Sequence, residues 1–115
     1  MSATTTAAII ASGTLWRTLG VPAAGRRLIR ALGSDDETIR TLAGMFLVKA
    51  GARSLVLLAE ALDTRDNLSL VLTILGDIGE PRSIPMIEGF TQDRDADVAR
   101  AAQDALKALR RRERS

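Results

Sequence analysis

The chain has 115 residues, of which 46% are apolar, and its formal net charge is +2. This length favours one domain around one continuous core, and the small charge excess argues against a dedicated nucleic-acid binder. Cys, His and Tyr are all absent. The sequence therefore excludes disulfides and removes the commonest metal ligand and general base, so we expect neither an enzyme nor a bound cofactor or metal.

Charge is distributed unevenly along the chain. Residues 1–30 hold four arginines and no acid, residues 31–97 hold twelve acids against six bases, and residues 98–115 hold six bases against two acids. No stretch reads as apolar over the roughly 18 residues that a membrane span requires. We therefore expect a cytoplasmic protein with no membrane partner.

Residues 3–19 are predicted to form the first helix of the chain. Its apolar anchors are Ile9, Leu15, Trp16 and Leu19. A stack of helices must have its first open face covered. We therefore interpret segment 1–20 as an N-terminal capping helix.

Three segments after this helix follow one plan, and they cover residues 21–51, 52–79 and 80–109. Each opens with a small or turn residue and an arginine, continues as an aliphatic helix, passes through an Asp-containing turn and enters a second aliphatic helix. Anchor leucines in the second helices recur at spacings of 28 and 31 residues: Leu47, Leu75 and Leu106. An internal repeat of about this length is typical of helical solenoids.

Polar residues and glycines predict where these helices begin and end. Ser34 or Asp35 is predicted to cap the second helix of the first segment, and Gly51 is predicted to end it. The equivalent caps of the later segments are predicted at Asp66 or Asn67 and at Asp95 or Asp97. The result is about seven helices joined by short loops, with no strand.

Two stretches of the third segment resemble a known family. Residues 75–85 read LGDIGEPRSIP, which resembles the signature of HEAT repeats of the phycobilisome-lyase type. Residues 93–106 read DRDADVARAAQDAL, which resembles the second half of the same repeat. The resemblance implies an all-α fold, namely a short right-handed α-solenoid of antiparallel, HEAT-like helix pairs whose second helices line a concave surface.

The resemblance also implies a function, because members of this family mostly bind proteins. We therefore expect a non-catalytic protein–protein interaction or scaffold module, with another protein as its partner and self-association into a homo-oligomer as a further option. The residues predicted to face solvent on the concave, partner-binding surface are Thr41, Thr73, Arg100, Gln103 and Lys107. Two alternatives stay open: an accessory role in bilin or tetrapyrrole attachment, and nucleic-acid binding through the basic ends.

Three charged groups are interpreted as structural. The acids of residues 93–97 alternate as in a calcium loop, but the glycine and glutamate of the full calcium-loop pattern are absent, which favours turn formation and capping. The resemblance to HEAT repeats implies that the arginine near the start of each segment pairs with a carboxylate of a neighbouring repeat; these arginines are Arg26, Arg53 and Arg82. The basic tail, residues 110–115, is expected to be a solvated helix end.

Overall fold

A computed structural model describes residues 5–113 of the chain. The helices are α1 (Thr6–Leu19), α2 (Pro22–Ala31), α3 (Glu37–Ala50), α4 (Leu55–Thr64), α5 (Leu68–Ile78), α6 (Ile84–Glu88) and α7 (Ala96–Glu113). Short 3-10 turns precede α4 and α6. No strand occurs within residues 5–113, so the prediction of an all-α fold is confirmed. Helix α6 has five residues, which leaves six helices of ordinary length.

Two parts of the sequence predictions lie outside the described residues. They are residues 3–4 of the predicted first helix and residues 114–115 of the basic tail. The remainder of the first helix is present as α1, and Thr5 caps its first described turn. The Thr5 hydroxyl accepts a hydrogen bond from the amide of Ala8 at 3.1 Å, which satisfies one of the free amides at the helix start.

The odd-numbered helices pack side by side in chain order. Helix α1 packs against α3, α3 against α5, and α5 against α7. Helix α2 also packs against α4. The consecutive pairs α2–α3, α4–α5 and α6–α7 each make contact as well. The core between the helices is aliphatic, apart from Trp16 and Phe46 at its α1 end.

A glycine determines how closely α5 and α7 approach. A Cβ atom on Gly76 would lie 2.9 Å from both the Cα and the Cβ of Ala105. Real Cβ atoms essentially never come this close, so a side chain at position 76 would push the two helices apart. Helix packing therefore explains why a glycine occupies position 76.

The predicted cap of α3 is corrected by one or two residues. Asp36, and neither Ser34 nor Asp35, caps the helix, because its carboxylate accepts a hydrogen bond from the Thr38 amide at 2.8 Å. The Ser34 hydroxyl instead accepts from the Asp36 amide at 3.1 Å. Ser34 thus forms the turn that brings Asp36 to the helix start.

The other predicted helix boundaries are found at the expected residues, but one of them lacks the expected side-chain cap. Gly51 ends α3 with a positive φ of 63°. Asp95 starts α7, since its carboxylate accepts from the Asp97 amide at 2.9 Å. Asn67 stands at the start of α5, but its φ of 54° turns its side chain toward Gly33. Asn67 therefore begins α5 without a capping hydrogen bond from its side chain.

The expectation that no segment could cross a membrane is also corrected. The stretch Glu37–Thr64 is helical throughout and is long and apolar enough to span a bilayer by length and composition. The backbone does not run straight, because Gly51 between α3 and α4 has φ 63° and ψ −132°. Core helices of soluble proteins pass the same test, and 44% of the apolar window is buried inside this fold.

Candidate functional site

All five residues predicted for the partner-binding surface have exposed side chains. Thr41 lies on α3 and Thr73 on α5, and the other three lie on α7. Because α3, α5 and α7 pack side by side, Thr41, Thr73 and Arg100 belong to three consecutive helices of one layer. Lys107 follows Arg100 by two helical turns, so the two cations lie on one side of α7.

Gln103 lies between Arg100 and Lys107 on one side of α7, three residues after the first and four residues before the second. Its side-chain amide donates a hydrogen bond to the carbonyl oxygen of Thr91, at 2.9 Å, in the connection between α6 and α7. Two helical turns further on, Arg110 approaches Glu88 of α6 at 3.6 Å. Gln103 and Arg110 therefore lie on the side of α7 that faces α6. The five residues are thus exposed on the successive helices α3, α5 and α7, and Gln103 also contacts the connection between α6 and α7.

The predicted pairing of Arg53 with a carboxylate is wrong. Its guanidinium donates to the backbone carbonyls of Trp16 and Arg17, both at 3.0 Å. These carbonyls belong to the last turn of α1, where helical carbonyls lack partners in their own helix and the helix dipole favours a cation. Arg53 therefore ties the 3-10 turn before α4 to the end of α1.

The other two arginines of this set also depart from the prediction. Arg82 approaches Glu80 of its own repeat at 3.7 Å, and both side chains are substantially exposed. Such an ion pair contributes little to stability. Arg26 has no ion-pair partner among residues 5–113 and lines a cleft beside α4. The arginine near the start of each repeat thus has a different role in each of them.

The basic tail is more ordered than expected over its described part. Helix α7 continues to Glu113, and the guanidinium of Arg112 donates to the carbonyls of Asp77 at 3.2 Å and Ile78 at 3.4 Å. Arg112 therefore covers the end of α5 as Arg53 covers the end of α1. Residues 110–113 are exposed, as expected for a solvated helix end, and within them Arg112 also contacts the end of α5.

Sequence patterns did not indicate the best-formed ion pair. Arg65 donates to both carboxylate oxygens of Asp93, each at 3.1 Å. This hydrogen bond from Arg65, together with one from the Asp95 amide and the positive charge of Arg65 and Arg94, lowers the pKa of Asp93 against the opposing effect of desolvation. The pair joins the connection between α4 and α5 to the connection between α6 and α7.

The buried polar residues within residues 5–113 are three serines, and each of them hydrogen-bonds to another residue of the fold. Ser54 accepts from the Trp16 indole at 3.0 Å and donates to the Leu47 carbonyl at 2.8 Å. Ser83 donates to Glu80, and Ser12 accepts from Arg27. Every buried side-chain nitrogen or oxygen in the described part is satisfied. Nor does that part bring three acids together in a group that could hold a metal ion.

One cleft lies between α2 and α4, above the start of α5, and has a volume of about 510 Å³. Its floor is apolar and includes Leu57, Ala61 and Val71. Arg26 and Glu60 stand on opposite walls. Sequence patterns could not predict this cleft, because it depends on the distance between α2 and α4.

Comparison with known proteins does not add an identity. No family model, curated protein or solved structure matches this chain. The chain is thus defined as an all-α protein whose odd-numbered helices form one packed layer. Its resemblance to HEAT repeats is a proposal that rests on its own residues.

Proposed function

We propose that this chain is a non-catalytic protein–protein interaction or scaffold module, built as a short right-handed solenoid of HEAT-like helix pairs. The order of helix contacts supports the solenoid, because each odd-numbered helix packs on the next and each later one also contacts the helix that precedes it in the chain. Such stacks offer a broad surface formed by equivalent helices of successive repeats. The partner is another protein that recognises this surface.

One observation carries the proposal. Thr41, Thr73 and Arg100 are exposed on three helices that lie side by side, while the opposite sides of the same helices bury Leu47, Leu75 and other aliphatic residues. The polar surface is therefore held by a continuous packed core. A surface of this kind binds by complementary shape and charge without rearranging its backbone.

The buried polar groups support a non-catalytic role. A catalytic group is generally held in a cleft with a perturbed environment and with a free atom toward substrate. In the described part of the chain, Ser54 and Ser83 instead donate to backbone carbonyls, and Ser54 and Ser12 accept from Trp16 and Arg27. The polar groups that stay available are at the surface, where they can contact a partner.

The test compares two surface variants in affinity capture from the native source, followed by mass spectrometry. The first combines Thr73→Ala, Arg100→Glu and Lys107→Glu on the proposed surface. The matched control combines Arg26→Glu and Arg30→Glu, which changes two exposed cations on α2. We expect the first variant to reduce recovery of the specific partners at least about tenfold, and the control to retain them.

Circular dichroism must show that both variants are folded as the parent chain is. If partner recovery survives unchanged in the first variant, the surface of α3, α5 and α7 is not the binding surface. If the control loses the partners instead, the binding surface lies on the α2 side.

A further inference from the structure

The cleft between α2 and α4 is bounded at both ends by contacts between its walls. In the first half of α2, Gly25 packs so tightly that a Cβ atom there would collide with the Leu57 side chain of α4. Beyond the C-terminal end of α2, a Cβ atom on Gly33 would lie 3.3 Å from the side-chain nitrogen of Asn67. The cleft is therefore a trough of limited length, and its volume of about 510 Å³ lies in the range of small-molecule sites.

The two walls of this cleft carry opposite charges. Helix α2 contributes Arg26 and Arg30, which are four residues apart and so lie on one side of the helix. The opposite wall contributes Glu60 of α4 and Asp66 of the connection between α4 and α5. Within residues 5–113, none of these four side chains takes part in an ion pair. Two cations and two anions therefore stay available to a ligand in the cleft.

The balance of these charges selects the kind of ligand. A molecule that carries only negative charge is attracted by the arginines and repelled by the two acids, and a molecule that carries only positive charge meets the reverse. A zwitterion placed across the cleft is attracted by both walls. Its body must be apolar, because Ile29, Leu57, Ala61 and Val71 line the space between the charges and burial of apolar surface against them is favourable.

We propose that the cleft binds a short aliphatic peptide as a free zwitterion. Its C-terminal carboxylate lies at Arg26 and Arg30, since guanidinium groups form charge-assisted hydrogen bonds with carboxylates. Its N-terminal ammonium lies at Glu60, and Asp66 adds negative charge on the same side. An extended tripeptide spans about 10 Å, and the axes of packed helices lie about 8–10 Å apart, so one such peptide bridges both walls while its side chains cover the floor.

The first test titrates the isotope-labelled chain with trileucine and follows the backbone amide signals by NMR. We expect the signals of Ile29, Leu57, Ala61 and Val71 to shift with a single dissociation constant. N-acetyl trileucine lacks the ammonium and trileucine amide lacks the carboxylate, and both keep the three side chains. Each blocked peptide is expected to bind at least about fivefold more weakly than free trileucine, because it loses its charge-assisted contacts with one wall.

The second test changes one wall of the cleft at a time. In the combined variant Arg26→Gln and Arg30→Gln, we expect trileucine to bind at least about fivefold more weakly than to the parent chain, and no better than its amide does. In the combined variant Glu60→Gln and Asp66→Asn, we expect trileucine to bind no better than its N-acetyl form. Each variant should thus lose discrimination at one peptide end and keep it at the other.

Two single substitutions are the matched controls for these charge changes. Arg17→Gln lies on α1 and Asp63→Asn lies on α4; both residues are exposed, and neither lines the cleft. We expect both controls to bind trileucine as the parent chain does. Circular dichroism confirms that each variant is folded, so that a loss of binding reports on the cleft.

Four results would overturn the proposal: trileucine that does not shift the cleft residues, equal binding of all three peptides, tighter binding of either blocked peptide, or discrimination that survives the change of the matching wall. Equal binding would assign the cleft to apolar side chains alone, and tighter binding of a blocked peptide would assign it to ligands of a single charge. These outcomes are independent of the proposed partner-binding function, because that surface belongs to α3, α5 and α7 and the substitutions in the cleft leave it unchanged.

Discussion

Replacement of Gly76 by Ala tests whether α5 and α7 approach as closely as the structure shows. In an open helix position this change stabilises a protein by about 0.5–1 kcal/mol, since Ala is the better helix former. Here the new methyl group would lie 2.9 Å from Cα and Cβ of Ala105. Because Cα belongs to the backbone, relief requires the two helices to separate.

The expected magnitude is the sum of two opposing effects. Overpacking of a core costs about 1–3 kcal/mol, and a clash with backbone favours the upper part of this range. The gain in helix propensity offsets up to about 1 kcal/mol. We therefore expect Gly76→Ala to lower the free energy of unfolding by about 1–2 kcal/mol, with a fall in Tm of roughly 4 °C per kcal/mol.

Gly44→Ala is the matched control, because it makes the same chemical change in the same layer. A Cβ on Gly44 would meet Ile74 Cδ1 at 3.6 Å, which is an ordinary van der Waals distance to a side chain. We expect this variant to be more stable than the parent chain by about 0.5–1 kcal/mol. The two variants should thus shift stability in opposite directions.

Urea unfolding followed by circular dichroism and by the fluorescence of Trp16 provides the measurement. In a double-mutant cycle, Gly76→Ala should cost less stability in an Ala105→Gly background than in the parent chain, because the clash with the Ala105 methyl group is absent there while the clash with the backbone at position 105 stays. The proposed packing of α5 against α7 would be refuted by a Gly76→Ala variant at least as stable as the parent chain, or by equal losses at positions 76 and 44.

Two further changes test the polar contacts. Ser54→Ala leaves the Trp16 indole without its buried acceptor at 3.0 Å, so we expect a loss of about 1–3 kcal/mol in urea unfolding; no loss would contradict this. Asp93 has a lowered pKa when folded, so it stabilises the fold above the unfolded pKa of about 4 and this contribution disappears as the pH falls. Asp93→Asn should therefore be less stable than the parent chain at neutral pH, and the difference should shrink in acid; a constant difference would contradict the assigned cause.

The elements of the fold could be predicted from local sequence patterns. Aliphatic residues at helical spacing, together with Asp and Gly at the boundaries, predicted helices in the correct order. The cap of α3 was misplaced because Ser34, Asp35 and Asp36 are all good capping residues, and the choice among them depends on the path of the turn. The Ser34–Asp36 hydrogen bond determines that path, and composition alone does not specify it.

The partners of the arginines could not be predicted in the same way. An arginine side chain reaches several ångströms, so residue spacing does not tell whether its guanidinium meets a carboxylate or the open carbonyls of a helix end. Arg53 and Arg112 reach helix ends, whereas Arg65 reaches Asp93. Only the separation and direction of neighbouring helices decide between these partners.

Helix α1 shows how correct placement of an element can still leave its role open. The sequence predicted a helix that covers the first repeat, and α1 does pack against α2 and α3. Of its four predicted apolar anchors, Ile9 and Trp16 are buried, while Leu15 and Leu19 are exposed. Helical spacing cannot assign all four to one core, because Leu15 and Trp16 are adjacent and point about 100° apart.

The exposed leucines indicate that α1 differs in kind from a polar capping helix. One side of α1 packs against α2 and α3, and its exposed side includes Leu15 and Leu19. The exposed side of α7, by contrast, carries several charged residues. The residues that most resemble HEAT repeats, such as Gly76, are used in packing between helices. Under the proposed function, recognition of a partner therefore falls to the less distinctive exposed residues of α3, α5 and α7.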